Sequence, residues 1–341
     1  MTILAAILVF CLLILTHELG HFIMARLNGV YVHDFSIGMG PKILSIKGKE
    51  TQYNLRLFPI GGHCLMMGED AGSDDSRSFG KKKVWQRITV IAGGPAMNFI
   101  SAIIIFIITF MFMGIPSLSN EVGGLIEGRA AEAAGVLPGD VIVEINGRPV
   151  DTWTDISPAV ALRGQAEPAD VVLERDGARL ALTIQPFFEE ESNRWLIGIF
   201  PVEKIIYVRQ SFFTAIKMGV MQSYTFTKEL LLVLVKIITG QMEADVAGPV
   251  GVVTIIGEAT SYGLQPLLLI TAFLCLNLGI INLLPIPALD GSRIVFLLVE
   301  GLRGKPIKPE REGMVHFIGF MLLIGLILVV TFNDIMRLIG E

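Results

Sequence analysis

The chain has 341 residues, of which 52% are hydrophobic and 17% are charged, and its mean hydropathy is +0.63. This composition is too apolar for an ordinary soluble domain and indicates an integral membrane protein. The formal net charge of −5, without a long basic stripe, argues against a nucleic-acid partner. The three cysteines are widely spaced and predict neither a disulfide framework nor a cysteine-based metal site.

The first apolar run covers residues 3–26 and is long enough to cross a membrane as a helix. It contains the motif HELGH, in which His17 and His21 stand four residues apart and share one face of a helix. Glu18 can reach a water molecule held between the two imidazoles, and this arrangement is the signature of a zinc hydrolase. His17 would lie about 20 Å into a hydrocarbon layer of about 30 Å, where ionisable groups are costly and usually functional.

Residues 30–70 alternate apolar and polar side chains around glycine-rich breaks, with a turn expected at residues 47–49. This pattern predicts two to four short strands. Their apolar content indicates a β-hairpin region that dips into the cytoplasmic leaflet near the histidines. At that depth its backbone polar groups require partners from protein or from a water cavity.

Three further apolar runs, at residues 88–115, 266–299 and 313–332, bring the expected number of transmembrane helices to four. Basic residues precede the second run and fill the link between the third and the fourth. The positive-inside rule places both connections in the cytoplasm and both chain termini outside. The basic residues are Arg77, Lys81, Lys82, Lys83, Arg87, Arg303, Lys305, Lys308 and Arg311.

Residues 116–188 combine short β-rich runs, turn signals and charge, which predicts a soluble domain on the extracytoplasmic side. The stretch GGLIEGRAAEAAGVLPGDVIVEINGRPVDTWTDI resembles a PDZ domain of the bacterial protease type, an α+β fold. A short helix is expected at residues 130–134 and a hairpin at 145–147. The resemblance implies that an extended peptide or a C-terminus binds by strand addition. A spacer domain with a degenerate groove is the alternative.

Residues 189–262 are interpreted as a linker followed by interfacial amphipathic helices. The stretch at 212–238 carries Lys217, Lys228 and Lys236, so we expect it to lie on the membrane surface rather than to cross the bilayer. If it crossed, the two basic connections would fall on opposite sides of the membrane.

The third apolar run contains polar residues and two prolines, at 285 and 287, that break a helix because proline removes backbone donors. Asp290 follows this break. It could pair with Arg293, three residues further on, or it could serve a functional site.

A catalytic zinc takes three protein ligands and keeps one position for water or substrate. His17 and His21 supply two of them. We expect Asp290 to be the third, because it is the one carboxylate in the middle of the other unusual run and a cation would stabilise its ionised form. The other candidates, Glu50, His63 and Glu69, stand in no helix suited to the arrangement.

Four features taken together resemble the bacterial site-2 protease family, the RseP-like intramembrane zinc metalloproteases. They are HELGH, GGPAMN at residues 93–98, the PDZ-like segment and NLLPIPALDG at residues 282–291. The resemblance implies that His17, His21 and Asp290 bind Zn²⁺ and that Glu18 is the catalytic base. It also implies that the segment holding Asn282 and Pro285 lies beside the substrate.

For such an enzyme we expect hydrolysis of peptide bonds within or near the transmembrane segments of single-span membrane proteins, such as anti-sigma factors or remnant signal peptides. The active site would lie within a bacterial plasma membrane, towards its cytoplasmic side. The chain departs from proteobacterial members, which carry tandem PDZ domains, and it has His63 where an aromatic residue is common.

The expected fold is an α-helical membrane protein with four transmembrane helices, a membrane-associated β-hairpin region and one inserted extracytoplasmic PDZ domain. Its segments are residues 1–115, 116–188, 189–262 and 263–341. Two alternatives are a membrane scaffold with a structural zinc and a metal transporter. A structural zinc site is normally closed by four protein ligands, and a transporter needs polar residues that the second and fourth runs almost lack.

Overall fold

The computed structural model of the chain describes residues 2–69, 73–161, 167–190, 193–243, 247–305, 307 and 309–340. The chain forms two compact units. The first consists of Met1–Thr109 and Phe212–Glu341, and the second, Phe110–Ser211, is inserted between them in sequence. Of the basic residues used to predict orientation, Lys308 lies outside the described residues.

The first unit begins with helix α1 (Thr2–Leu27), strands β1 (Val32–Lys47) and β2 (Gln52–Met66), a 3-10 turn (Phe79–Lys81) and helix α2 (Val84–Phe112). The two strands bend, so the hairpin forms four strand segments: Phe35 pairs with both Cys64 and Tyr53. Across the sheet the segments follow the order 62–66, 32–37, 52–56 and 42–47. The N–H of Gly48 donates to the carbonyl of Thr51 at 2.9 Å, next to the predicted turn.

The β1–β2 hairpin is buried at one end and exposes apolar side chains at the other. Val32, Phe35 and Cys64 belong to a core shared with α1 and α2. Inside the hairpin, the carboxylate of Asp34 accepts hydrogen bonds from Ser36 at 2.5 Å, from Asn54 at 2.6 Å and from Lys42 at 3.3 Å. The exposed apolar side chains include Met39, Ile43, Leu44, Ile46, Leu57 and Phe58. The hairpin therefore carries a buried polar cluster in segments 32–37 and 52–56 and an exposed, largely apolar surface at its far end.

In its described residues, the second unit is built from short strands and two helices. In chain order they are β3 (Ile115–Leu118), β4 (Val122–Leu125), α3 (Ala130–Ala133), β5 (Val141–Ile145), β6 (Arg148–Pro149), α4 (Trp153–Val160), β7 (Ala169–Arg175), β8 (Ala178–Ile184), β9 (Phe187–Glu189), β10 (Arg194–Leu196), β11 (Ile199–Pro201) and β12 (Ile205–Val208). Strands β6, β5, β7 and β8 form an antiparallel sheet in that order, and β9 pairs with β10. Because β11 pairs with β4 and β12 with β3, the unit extends past residue 188 to Ser211.

A buried ion pair stabilises the second unit. Arg175 donates from Nε to one oxygen of Asp140 at 2.7 Å and from Nη2 to the other at 2.8 Å. The Asp140 side chain is 1% exposed.

The predicted helix starts at Ala130, and the hairpin turn at Asn146 and Gly147 has positive φ at both residues.

The first unit resumes with five helices. They are α5 (Phe212–Ile238), α6 (Pro249–Ser261), α7 (Leu264–Leu283), α8 (Asp290–Arg303) and α9 (Pro309–Gly340). Within the described residues, four helices are long and apolar enough to cross a membrane: Thr2–Leu27, Val84–Phe112, Leu264–Leu283 and Glu310–Arg337. This agrees with the predicted number of spans, and α5 is not among the four.

The third span is shorter than predicted. We expected one run from 266 to 299, but α7 ends at Leu283 and α8 begins as a separate helix at Asp290. The intervening residues 284–289 contain both prolines, and Ala288 has φ +75°. Gly291 lets α8 start against the end of α7, since a Cβ there would lie 2.5 Å from the carbonyl carbon of Leu283. Asp290 therefore lies at the start of a helix and not in the middle of a span.

Helix α6 is held by α9 through a single carboxylate. Asp334 is buried and accepts hydrogen bonds from the backbone N–H groups of Gly248 at 3.3 Å and Gly251 at 2.8 Å. These groups belong to the first turn of α6, where N–H groups lack partners within the helix. A Cβ at Gly248 would lie 2.6 Å from the carboxylate, so the glycines allow α9 to cap α6.

Candidate metal centre

Helices α1 and α2 come into backbone contact beside the HELGH motif. A Cβ at Gly93 would lie 2.7 Å from the carbonyl oxygen of Gly20, and a Cβ at Gly20 would lie 2.8 Å from the Cβ of Met97. Only glycine at both positions permits this approach. The contact brings the histidine face of α1 against α2.

Three side chains converge at this contact. The Nε2 atoms of His17 and His21 lie 3.2 Å apart, and Oδ2 of Asp290 lies 3.2 Å from the first and 3.4 Å from the second. Over the described ranges, this trio is the one group of histidine, cysteine and carboxylate side chains arranged to hold a metal ion. The structure thus brings together the three ligands expected from the sequence.

The arrangement fits zinc by three criteria. Tetrahedral ligands at the usual zinc bond lengths of about 2.0–2.1 Å are separated by about 3.3 Å, which is close to the three observed distances. Oδ2 of Asp290 is buried and accepts no hydrogen bond from the described residues. Space is also kept between the ligands, since a Cβ at Gly94 would lie 2.7 Å from Cε1 of His21 and 2.8 Å from Cε1 of His17.

Groups around the ligands orient the two imidazoles. Nδ1 of His21 lies 3.0 Å from the carbonyl oxygen of Val90, which can only accept, so Nδ1 carries the proton and Nε2 is free to bind a metal. Nδ1 of His17 lies 3.3 Å from the carboxamide of Asn98, a residue with no exposed surface. Such outer partners of metal-binding histidines fix the orientation of the ring.

Glu18 lies on α1 next to these ligands and faces the β-hairpin. A Cβ at Gly62 of β2 would lie 3.1 Å from Cγ of Glu18. The glycine therefore leaves room for the carboxylate beside strand segment 62–66, which pairs with segment 32–37 along one edge. This places the expected base against one face of that strand segment, because the Cβ direction of a strand residue points out of the sheet.

The other candidates for the third ligand are engaged elsewhere. Glu69 accepts a hydrogen bond from Arg293 at 2.5 Å, Nε2 of His63 lies 3.7 Å from Asp34, and Glu50 pairs with arginines at the protein surface. The alternative ion pair between Asp290 and Arg293 is not formed among the described residues either. Arg293 is bound by Glu69 instead.

Helix α9 supports the turn that carries Asp290. The N–H of Ala288 donates to Nδ1 of His316 at 3.0 Å. A Cβ at Gly319 would lie 2.7 Å from the carbonyl oxygen of Pro287, so the turn rests directly on the helix.

Asn282 is half-buried near the end of α7, and Pro285 is exposed at the start of the turn. Their predicted place beside a substrate stays a prediction.

Sequence reasoning assigned no role to several of these residues. Gly94 and Asn98 belong to the GGPAMN motif, whose only signal is its resemblance to the family, and His316 and Gly319 stand in an apolar run that predicts a span. The sequence marks these four positions only as small or polar residues inside apolar runs. The partner that each one contacts lies on another helix, so its role could not be derived locally.

Comparison with known proteins defines the class. A family model described as peptidase family M50 matches residues 5–326, and the chain belongs to this family. It is therefore a zinc metalloprotease, which disfavours both the scaffold and the metal transporter. Its four apolar helices make it an integral membrane protein.

Individual relatives cover nearly the whole chain. A protein of Clostridium acetobutylicum named as a zinc metalloprotease is 41% identical over 334 residues, which cover 98% of this chain and 97% of that protein. The regulator of sigma-W protease RasP of Bacillus subtilis is 36% identical over 424 residues, with 99% of each chain covered. The zinc metalloprotease RasP of Geobacillus kaustophilus is 33% identical over 419 residues, with 98% of each covered.

Proposed function

We propose that this protein is an intramembrane protease that cleaves single-span membrane proteins within or near their transmembrane segments. One observation carries the proposal: the three converging ligand atoms include two from a helix apolar enough to cross a membrane. A soluble substrate would have little access to a site on such a helix. A transmembrane substrate could reach it by lateral diffusion in the bilayer.

In this mechanism His17, His21 and Asp290 would hold the zinc ion. Bound zinc supplies Lewis-acid chemistry, polarising the scissile carbonyl and lowering the pKa of water. Glu18 accepts a proton from the attacking water and later delivers it to the leaving amide nitrogen. The contacts of Nδ1 in both histidines orient the rings so that the two Nε2 atoms face each other and would be available to the metal.

The substrate must be unwound before it is cut, because the amides of a transmembrane helix are hydrogen-bonded within the helix. Strand segment 62–66 is suited to hold the unwound stretch. It lies beside Glu18, and the structure describes no strand partner along its second edge. Strand addition there would supply backbone hydrogen bonds. The helix break with Asn282 and Pro285 would flank the same stretch.

The membrane placement follows from surface chemistry. The apolar exterior of the distal hairpin suits the cytoplasmic leaflet, and its polar interior satisfies the buried groups. The basic residues before α2 and after α8 favour the cytoplasmic side, and both termini and the second unit would then lie outside a bacterial plasma membrane. Helix α5, with its lysines, would lie on the membrane surface.

The second unit would be a single PDZ domain. The four-stranded sheet, the short helix α3 and the longer helix α4 support this assignment. Such a domain would bind an extended peptide or a newly formed C-terminus, or it would exclude large ectodomains. The name of the Bacillus subtilis relative supports a role in sigma-factor regulation, with an anti-sigma factor as substrate. Remnant signal peptides are the other substrate class.

The test is the Glu18→Gln variant in reconstituted vesicles that hold a single-span substrate. Loss of the general base should lower the cleavage rate by about 10²–10⁴-fold, while zinc content stays at the wild-type level. The matched control is Glu229→Gln, which changes an exposed glutamate of α5 and should cleave normally. Cleavage by Glu18→Gln at the wild-type rate would overturn the assignment.

A further inference from the structure

Asn98 stands between two residues of the metal-binding helix. In the structure its Nδ2 lies 3.3 Å from Nδ1 of His17 and its Oδ1 lies 3.1 Å from Oγ1 of Thr16, and the hydrogen bonds decide whether these two ends are exchanged. Thr16 also lies within hydrogen-bond distance of the carbonyl of Leu13, at 3.1 Å. The amide has no exposed surface, so water does not replace these partners.

The protons in this group can be placed by following the metal ligand. If Nε2 of His17 binds zinc, it must present a lone pair, and the neutral imidazole then carries its proton on Nδ1. A proton on Nδ1 requires an acceptor. The carboxamide must therefore turn its oxygen towards His17, because its NH₂ group would oppose a second donor. The two ends of an amide are alike in size, so hydrogen bonding decides which one faces each neighbour.

The partner at the other end of the amide follows from the same hydrogen-bond rules. With its oxygen on His17, the NH₂ group faces Oγ1 of Thr16 and needs an acceptor there. The threonine hydroxyl has one proton, which it can donate to the carbonyl of Leu13, leaving a lone pair for the amide. Every polar group then has a partner of the opposite kind. Valine at this position would offer no such acceptor.

We infer that Thr16 and Asn98 are positioning residues that hold His17 in the tautomer required to bind zinc. Thr16 orients the amide through the bond from its NH₂ group, and the amide oxygen orients the imidazole. The inference rests on the proposed role of His17 as a zinc ligand. Thr16 touches neither the metal position nor the other two ligands in any contact described above.

The direct test is zinc affinity, measured by competition with a chromogenic chelator on the full-length protein in detergent. Loss of an outer partner of a zinc ligand typically weakens binding by about 10–100-fold, and we expect this for Thr16→Val and Asn98→Leu. Two conservative variants should restore affinity to within about threefold of wild type. Thr16→Ser keeps the hydroxyl, and Asn98→Asp keeps an oxygen acceptor for Nδ1.

Two further measurements keep the test decisive. Helical content and thermal unfolding of the zinc-free variants identify any that fail to fold, in which case the Val and Ser pair at position 16 decides the outcome. His17→Ala serves as the reference for a lost ligand. If His17→Ala binds zinc normally, the proposed metal site is wrong. If it loses zinc while Thr16→Val and Asn98→Leu bind like wild type, only the positioning inference is overturned.

Discussion

Gly94 keeps open the space that a metal ion would occupy, and Gly94→Ala tests this directly. The new methyl carbon would lie 2.7 Å from Cε1 of His21 and 2.8 Å from Cε1 of His17, whereas ordinary contacts begin at 3.4 Å. Each ring would have to retreat by about 0.6–0.7 Å, and zinc sites tolerate deviations of only about 0.2 Å. Two of the three ligands would be displaced together.

We expect zinc affinity to fall by at least about 100-fold, or about 2.8 kcal/mol. The same clash should destabilise the zinc-free protein by about 1–3 kcal/mol, and the higher helix propensity of alanine, about 1 kcal/mol, should offset part of this cost. Thermal unfolding of the zinc-free variant therefore verifies that it is folded before its zinc affinity is compared with that of the wild type.

The assay is zinc content after purification, followed by chelator competition. Gly325→Ala is the control, because a Cβ at this position of α9 has no neighbour within 4 Å. The reasoning is refuted if Gly94→Ala binds zinc with wild-type affinity, since the methyl group would then occupy space that the ion does not need.

Two further substitutions test the supports of the fold. Gly319→Ala would place a Cβ 2.7 Å from the carbonyl oxygen of Pro287. It should therefore destabilise the protein by about 1–3 kcal/mol and weaken zinc binding, whereas Gly325→Ala should do neither. Equal unfolding temperatures of the two variants would contradict the contact between Gly319 and Pro287. Burial raises the pKa of Asp140, but the hydrogen bonds from Arg175 outweigh this and hold the pKa below its ordinary value. The stabilisation is therefore complete above about pH 4 and is lost as the pH falls through the lowered pKa. Hydrogen exchange of the second unit between pH 7 and pH 3 should show this loss, and Asp140→Asn should reduce its pH dependence while costing about 2–3 kcal/mol at neutral pH.

The convergence of the three candidate ligands could be predicted because each is anomalous within its own segment. His17 and His21 share a helix face inside an apolar run, and Asp290 follows two prolines in another. Ionisable groups are so rare in such runs that residues far apart in the sequence can be assigned to the same site. The predicted number of spans was right for the same reason, since apolar length is a local property.

The third span shows where composition misleads. Residues after the proline break remain apolar because α8 packs one face, including Leu297, into the core of the first unit. Hydropathy cannot distinguish that buried face from a face in lipid. Sequence alone therefore merged α7 and α8, although the prolines between them were visible.

The roles of Gly94 and Asn98 could not be predicted because they depend on contact between two helices. A glycine in an apolar helix is compatible with lipid, with close packing or with a cavity. Its neighbours decide among these, and for Gly94 they are two histidine rings about 75 residues earlier in the chain. The pairing of β11 and β12 could not be predicted for a similar reason, since their partners lie about 75–90 residues upstream.

The insertion of the second unit between the two parts of the first has a consequence for biosynthesis. About 270 residues separate His21 from Asp290, and at about 5–20 residues per second a ribosome needs roughly 15–55 s to bridge them. For most of that interval the two imidazoles of α1 have no carboxylate partner from residue 290. If the three side chains bind zinc as proposed, the site can form only after the whole second unit has been synthesised, so zinc binding must follow the synthesis of that unit.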